Sequence, residues 1–212
     1  MHRHERQTRK LAFGYAALAG AVDAAGFLKS GGLFVSFMTG NSTRLAVGIA
    51  RNSRFALAAA TLVALFVAGV VLTVLVSERV RSFPRKVAAS VLVAALLIMA
   101  AAVGSAGAPR ASVACLCLAM GGANAIFRRD GDVSIGVTYM TGTLVRLGHR
   151  LADRIRGVGG NDWPPYLLLW LSLVFGGVGG ALTYLWSPEL ALWSIALFAV
   201  ALAAVALSVA SK

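Results

Sequence analysis

Five stretches of this chain carry no charged side chain at all: Phe55–Ser77, Val87–Pro109, Ala111–Phe127, Trp163–Pro188 and Leu190–Ser211. A sixth, Leu11–Leu28, carries one, Asp23. A helix rises about 1.5 Å per residue, so about 20 apolar residues cross a hydrocarbon core of roughly 30 Å. Six such runs in 212 residues leave little chain for anything else. The expected fold class is therefore all-α, a polytopic membrane helix bundle of about six spans. Only 13% of residues are charged, against roughly 25% in soluble domains, which excludes a disordered chain and nearly every soluble fold. In that setting the net charge of +12 reads as the Lys/Arg excess of cytoplasmic loops, not as a nucleic-acid surface.

Two further segments, Ser30–Ala50 and Val133–Leu151, begin uncharged and then meet Arg44 and Arg146. As full spans they would make eight crossings; as re-entrant elements they would enter and leave on one side. Loop charge arbitrates. With six spans and Arg44 and Arg146 set aside, 14 basic residues fall on the side of the N-terminus and 4 (Lys29, Arg51, Arg54, Arg110) on the other. With eight, the division weakens to 11 against 7. The positive-inside rule thus favours six spans, with both termini cytoplasmic. Trp163, Tyr166, Tyr184, Trp186 and Trp193 fall near span ends, as an interfacial belt would. The start of the chain, with basic residues 1–10 and Ala19-Gly20-Ala21, imitates a signal peptide. Its likeness to a later segment argues for a permanent span instead.

That likeness is an internal repeat. Val35-Ser36-Phe37-Met38-Thr39-Gly40-Asn41-Ser42-Thr43-Arg44-Leu45 matches Val137-Thr138-Tyr139-Met140-Thr141-Gly142-Thr143-Leu144-Val145-Arg146-Leu147 at 6 of 11 positions, 102 residues apart. Upstream, Gly20-Ala21-Val22-Asp23-Ala24 lies over Gly121-Gly122-Ala123-Asn124-Ala125, setting Asp23 against Asn124. Downstream, Gly69, Leu72 and Thr73 lie more loosely over Gly179, Leu182 and Thr183. The expected organisation is a basic leader (1–10), repeat 1 with its cytoplasmic loop (11–86), the last span of repeat 1 (87–110) and repeat 2 (111–212). An odd number of crossings up to the start of the second copy would invert it, and inverted repeats with a broken element in each half mark secondary transporters.

The same residues carry a resemblance. Ala19-Gly20-Ala21-Val22-Asp23-Ala24, Phe34-Val35-Ser36-Phe37-Met38-Thr39-Gly40-Asn41, Asn124-Ala125 and Tyr139-Met140-Thr141-Gly142-Thr143 resemble the YoaK-like family of bacterial membrane proteins (domain of unknown function 1275) over nearly the whole chain. The Met-Thr-Gly-Asn block is the most specific part. The resemblance implies an inner-membrane protein of about six spans, of a kind often labelled a permease. Family members often place glutamine before the Asn-Ala pair; this sequence has Ala123.

Several polar residues are candidates for a site. Gly40 and Gly142 permit a backbone break, and Thr39, Asn41, Ser42, Thr141 and Thr143 are good N-caps for a helix starting there. A half-helix N-terminus near the bilayer midplane offers free N–H groups and a positive dipole end to an anionic or strongly polar group. The alternative is a pair of kinked helices packed through small residues. Asp23, the one acid deep in an expected span, is a candidate for proton coupling, with Arg44 and Arg146 as partners; a static contact is the alternative. Arg146, with Arg150, Arg154 and Arg156 following, equally suits anionic lipid headgroups. Asn124 reads as an interhelical hydrogen-bond former, with a site role second. Gly176 and Gly180 form a small-xxx-small pair for close helix approach.

The resulting expectation is a secondary transporter or permease for a small polar or anionic solute. A non-catalytic membrane scaffold or lipid-binding protein is the alternative. An enzyme is not expected: no His-Glu-x-x-His, Gly-x-Ser-x-Gly or intramembrane carboxylate pair occurs. Neither metal nor cofactor is expected; Cys115 and Cys117, two apart on a helix, face different directions. The expected partners are the lipid bilayer and a small-molecule solute, without nucleic acid, and a homodimer is an open assembly.

Overall fold

The computed structural model describes residues 2–80, 82–129, 132–133 and 136–210. Among them are eight α-helices: α1 (His2–Ser30), α2 (Met38–Ala50), α3 (Phe55–Arg79), α4 (Arg85–Ser105), α5 (Pro109–Ala123), α6 (Met140–Ile155), α7 (Pro164–Trp186) and α8 (Pro188–Ala210). Before α6, β1 (Arg128–Arg129) pairs antiparallel with β2 (Asp132–Val133). Helices α1, α3, α4, α7 and α8 are long and apolar enough to cross a membrane. Helix α5 is shorter, at 15 residues. Its path is prolonged by tight turns in which Asn124 N–H donates to Gly121 O and Ala125 N–H to Gly122 O. Buried Ile126 and Phe127 end that extension. The all-α polytopic bundle expected from the apolar runs is what the chain forms.

Glycines set which helices touch. A Cβ on Gly176 would overlap the backbone of Ala17, and one on Gly180 that of Ala21, so α1 and α7 meet backbone to backbone. Likewise a Cβ on Gly69 would overlap Leu118 O, and one on Gly121 would overlap Phe66 O, joining α3 to α5. Without a hydrophobic force between helices in lipid, such close van der Waals approach holds a bundle together.

These contacts also fix helix direction. Ala17 meets Gly176 and Ala21 meets Gly180, so α1 and α7 run parallel. The Cys117 thiol donates to Leu62 O (3.0 Å) and Gly121 meets Phe66, so α3 and α5 run parallel. Late α4 meets early α8, where Ser105 Oγ donates to Glu189 Oε1 at 2.8 Å, so that pair is antiparallel. Ser112 Oγ donates to Ala100 O (2.8 Å), folding α5 back along α4. Early α1 meets late α8 through Gly14 and Leu202. The long helices and α5 therefore trace six traverses, and α1 begins at the end of the bundle where α8 finishes. That end is called here the terminal end, and the opposite one the distal end.

Neither α2 nor α6 adds a traverse. Ser30 of α1, Arg54 before α3 and Arg110 of α5 line one cavity, so the chain is at the distal end both before and after α2. Arg9 of α1, Arg150 of α6 and Tyr166 of α7 line another, at the terminal end. Each short helix returns to the end from which its loop came.

Candidate functional site

The first re-entrant loop is held from inside. After Gly31 (φ 71°) and Gly32 (φ 110°) turn the chain back, Asp23 Oδ1 accepts hydrogen bonds from the Val35 and Ser36 N–H groups (2.8 and 2.9 Å). Asp23 lies seven residues before the end of α1, so the loop reaches about 10 Å into the bundle before α2 begins. Asn41, fully buried, clamps the same loop: its Oδ1 accepts from Phe34 N–H (3.0 Å) and its Nδ2 donates to Phe34 O (2.6 Å). A backbone at such depth is tolerable only with its polar groups engaged, and these two side chains engage them.

The second loop repeats the device with different chemistry. Asn124, at the position equivalent to Asp23, accepts from Thr138 Oγ1 through its Oδ1 (3.0 Å) and donates to Met120 O through its Nδ2 (2.9 Å). Thr138 is the counterpart of Ser36.

The helix starts differ from the expectation. Both short helices begin at the methionine, Met38 and Met140, two residues before the glycine. Gly40 and Gly142 therefore lie in the first helical turn, and the break is in the preceding loop, where Asp23, Asn41 and Asn124 hold the chain. The expected N-caps are not caps. Phe37 and Tyr139 occupy the cap positions without a side-chain cap bond. Ser42 and Thr143 instead donate back to Met38 O (2.9 Å) and Tyr139 O (3.3 Å).

The two helix starts face one cavity without touching each other. Ser36, Phe37, Met38 and Thr39 of the first loop, and Thr138, Tyr139, Met140, Thr141 and Gly142 of the second, line one cavity of about 390 Å³. Val63, Phe66 and Val67, at the middle of α3, close its wall. The first N–H groups of a helix lack intrahelical acceptors. Among the described residues no protein acceptor engages the N–H groups of Thr39, Gly40, Thr141 or Gly142.

The other expected residues lie apart from this cavity. The Arg44 guanidinium stacks on Phe27 and Phe34, at 5.5 and 5.0 Å from the ring centroids. Arg146 is exposed and lines the terminal-end cavity with Arg9. Among the described residues no ion pair joins either arginine to Asp23, because the Asp23 carboxylate faces backbone amides instead. Asn41 is engaged with Phe34 and lines no part of the cavity. The aromatic rims Phe37 and Tyr139 and the hydroxyls of Ser36 and Thr138 were not expected at the site. Their pairing across the repeat was the available signal.

The family model described as "Protein of unknown function (DUF1275)" matches residues 11–206, which takes in both loops and the cavity between them. The chain belongs to the DUF1275 family. A curated UPF0700 transmembrane protein of Rhizobium meliloti (strain 1021) is 36% identical over 181 residues, covering 83% of this chain and 76% of the relative. No solved structure matches. Membership of DUF1275 agrees with the resemblance read from the Met-Thr-Gly blocks.

Proposed function

We propose that this chain is a secondary transporter for a small polar or anionic solute, built as two inverted repeats around the Met-Thr-Gly cavity. It works without chemistry on the solute, so it is a carrier and not an enzyme. The single observation that carries the reading is that two helix starts, whose first N–H groups have no protein acceptor among the described residues, face one cavity at mid-depth. Such ends stabilise negative or strongly polar groups. Thr39, Thr141 and the Gly142 backbone are the solute contacts, with Ser36 and Thr138 beside them. Asp23 and Asn124 position the loops.

Inversion is supported by contact geometry. Exchanging α1 with α5 and α3 with α7 maps one set of contacts onto the other. Gly121 against Phe66 and Val70 becomes Gly20 against Leu173 and Gly177, and Gly122 against Thr73 becomes Ala21 against Gly180. α1 and α5 leave from opposite ends, so the copies point in opposite directions. This is the frame in which alternating access works. The positive-inside count supports a cytoplasmic terminal end, and the family resemblance supports a bacterial inner membrane.

The test is access of water to the cavity. In a Cys115→Ser, Cys117→Ser background, Thr39→Cys and Thr141→Cys are reacted with a membrane-impermeant thiol reagent in sealed vesicles of either orientation. A carrier leaves both positions reactive, with reactivity that shifts between sides. A dry scaffold leaves both inert from both sides, and that result would remove the transport reading.

A further inference from the structure

The positive-inside rule leaves one fact unexplained. Few basic residues belong on the distal side, yet Lys29, Arg54 and Arg110 converge there on a single cavity of about 790 Å³. No carboxylate lines it. Helices α3 and α5 both begin at its wall, so two positive helix ends add to the three cations. Loop charge bias would scatter these residues and does not account for their sharing one hollow.

The cavity also has an image. At the terminal end, a cavity of about 480 Å³ is lined by Arg9, Arg146, Arg150 and one acid, Asp162. The register that superposes the Gly20 and Gly121 contacts sets Arg9 over Arg110, Ala12 over Val113 and Phe13 over Ala114. The register that superposes the Gly69 and Gly176 contacts sets Asn161 over Arg54, Pro165 over Ala58 and Leu169 over Leu62. The two hollows are thus the same place in the two halves, facing opposite ends of the bundle. Each carries a net positive lining, although their remaining walls differ. A lipid-facing accident at one end has no reason to recur at its symmetry mate.

We propose that these cavities are paired anion-collecting vestibules, and that the transported solute is a small soluble anion bearing a phosphate- or carboxylate-type group. The inference rests on the transporter reading and narrows its substrate class. Cations at the mouth of a low-dielectric hollow focus the field and raise local anion concentration. The unpaired N–H groups at mid-depth then receive the same charge. Phospholipid headgroups offer the same chemistry, so the test must separate the two sources.

Full-length protein in zwitterionic phosphatidylcholine nanodiscs is titrated with inorganic phosphate and with succinate, and thermal stability is followed. At least one of the two is expected to raise the melting temperature, with an effect that shrinks as inert salt is added. Arg54→Gln, an exposed change that leaves the core intact, should weaken the apparent affinity about fivefold. Lys29→Gln/Arg54→Gln/Arg110→Gln should weaken it further. Arg51→Gln, on the same side but outside the cavity, should change nothing. A response that is absent for both probes, or unchanged in Arg54→Gln, overturns the proposal. Phosphatidylglycerol retained by the wild type and lost by the triple variant, with no response to either soluble anion, assigns the cavity to headgroups and also overturns it. Binding does not depend on transport: anion binding with inert Thr39→Cys and Thr141→Cys keeps the cavities as anion sites but removes the carrier reading, and with it the transported solute. Reactive cysteines without anion binding remove the vestibules alone.

Discussion

At Asp23 the constrained position is legible in the sequence and its partners are not. A lone acid in an apolar run marks a constrained site on insertion cost alone, about 2.5–3.5 kcal/mol on translocon scales. What the sequence does not display is the partner, because the acceptors and donors are backbone groups placed by a loop twelve residues away. The structure gives Asp23 the Val35 and Ser36 amides. It gives Asn124, its repeat counterpart, the Thr138 hydroxyl. An amide oxygen therefore suffices to anchor such a loop. From this, Asp23→Asn is expected to keep the fold and lose little stability. Asp23→Ala strips two N–H groups of their acceptor and should destabilise by about 1–3 kcal/mol, seen as a lower melting temperature in detergent. If Asp23 also couples protons, Asp23→Asn abolishes the pH dependence of uptake while the fold remains intact. Full, unchanged pH dependence in that variant would restrict Asp23 to anchoring. Residue type makes Asn41 an N-cap candidate beside Gly40; its burial against Phe34 depends on loop curvature that no spacing encodes.

At the scale of elements, the repeat was legible where residues are identical and illegible where many glycines compete. The Met-Thr-Gly blocks align on identities, and the short helices start at equivalent methionines. For α3 and α7 the sequence offers Gly69 over Gly179, yet contacts set Gly69 over Gly176, because Leu118 meets the first as Ala17 meets the second. Helix contact selects the glycine that faces the neighbour, and α7 holds four within five positions, Gly176, Gly177, Gly179 and Gly180. The two registers make opposite predictions. A Cβ at Gly176 would overlap the Ala17 backbone, whereas one at Gly179 meets nothing within 4 Å. Gly176→Ala should therefore force α1 and α7 apart and cost about 1–3 kcal/mol. Gly179→Ala should be neutral or stabilise slightly, as alanine exceeds glycine in helix propensity by about 1 kcal/mol. Equal melting temperatures for the two variants would reject the contact register.

For the whole molecule, charge counting and helix contacts reach the same six-traverse arrangement by unrelated routes. The count uses only loops and knows nothing of contacts; the contacts fix relative direction and know nothing of the membrane. Their agreement turns on α2. If α2 returns to the end it left, the turn at Asn52 (φ 51°) lies at the distal end, and Phe83, between α3 and α4, lies at the terminal end. If α2 and α6 each crossed fully, both positions would change sides. Single-cysteine variants Asn52→Cys and Phe83→Cys, in a background with Cys115 and Cys117 replaced by serine, decide between these in intact cells. An impermeant thiol reagent applied from outside should label the first and leave the second protected until the membrane is permeabilised. The opposite pattern, with a Thr8→Cys control in α1 protected from outside, would mean eight crossings. It would make the two halves parallel, so that the two cationic hollows could not open to opposite sides of the membrane.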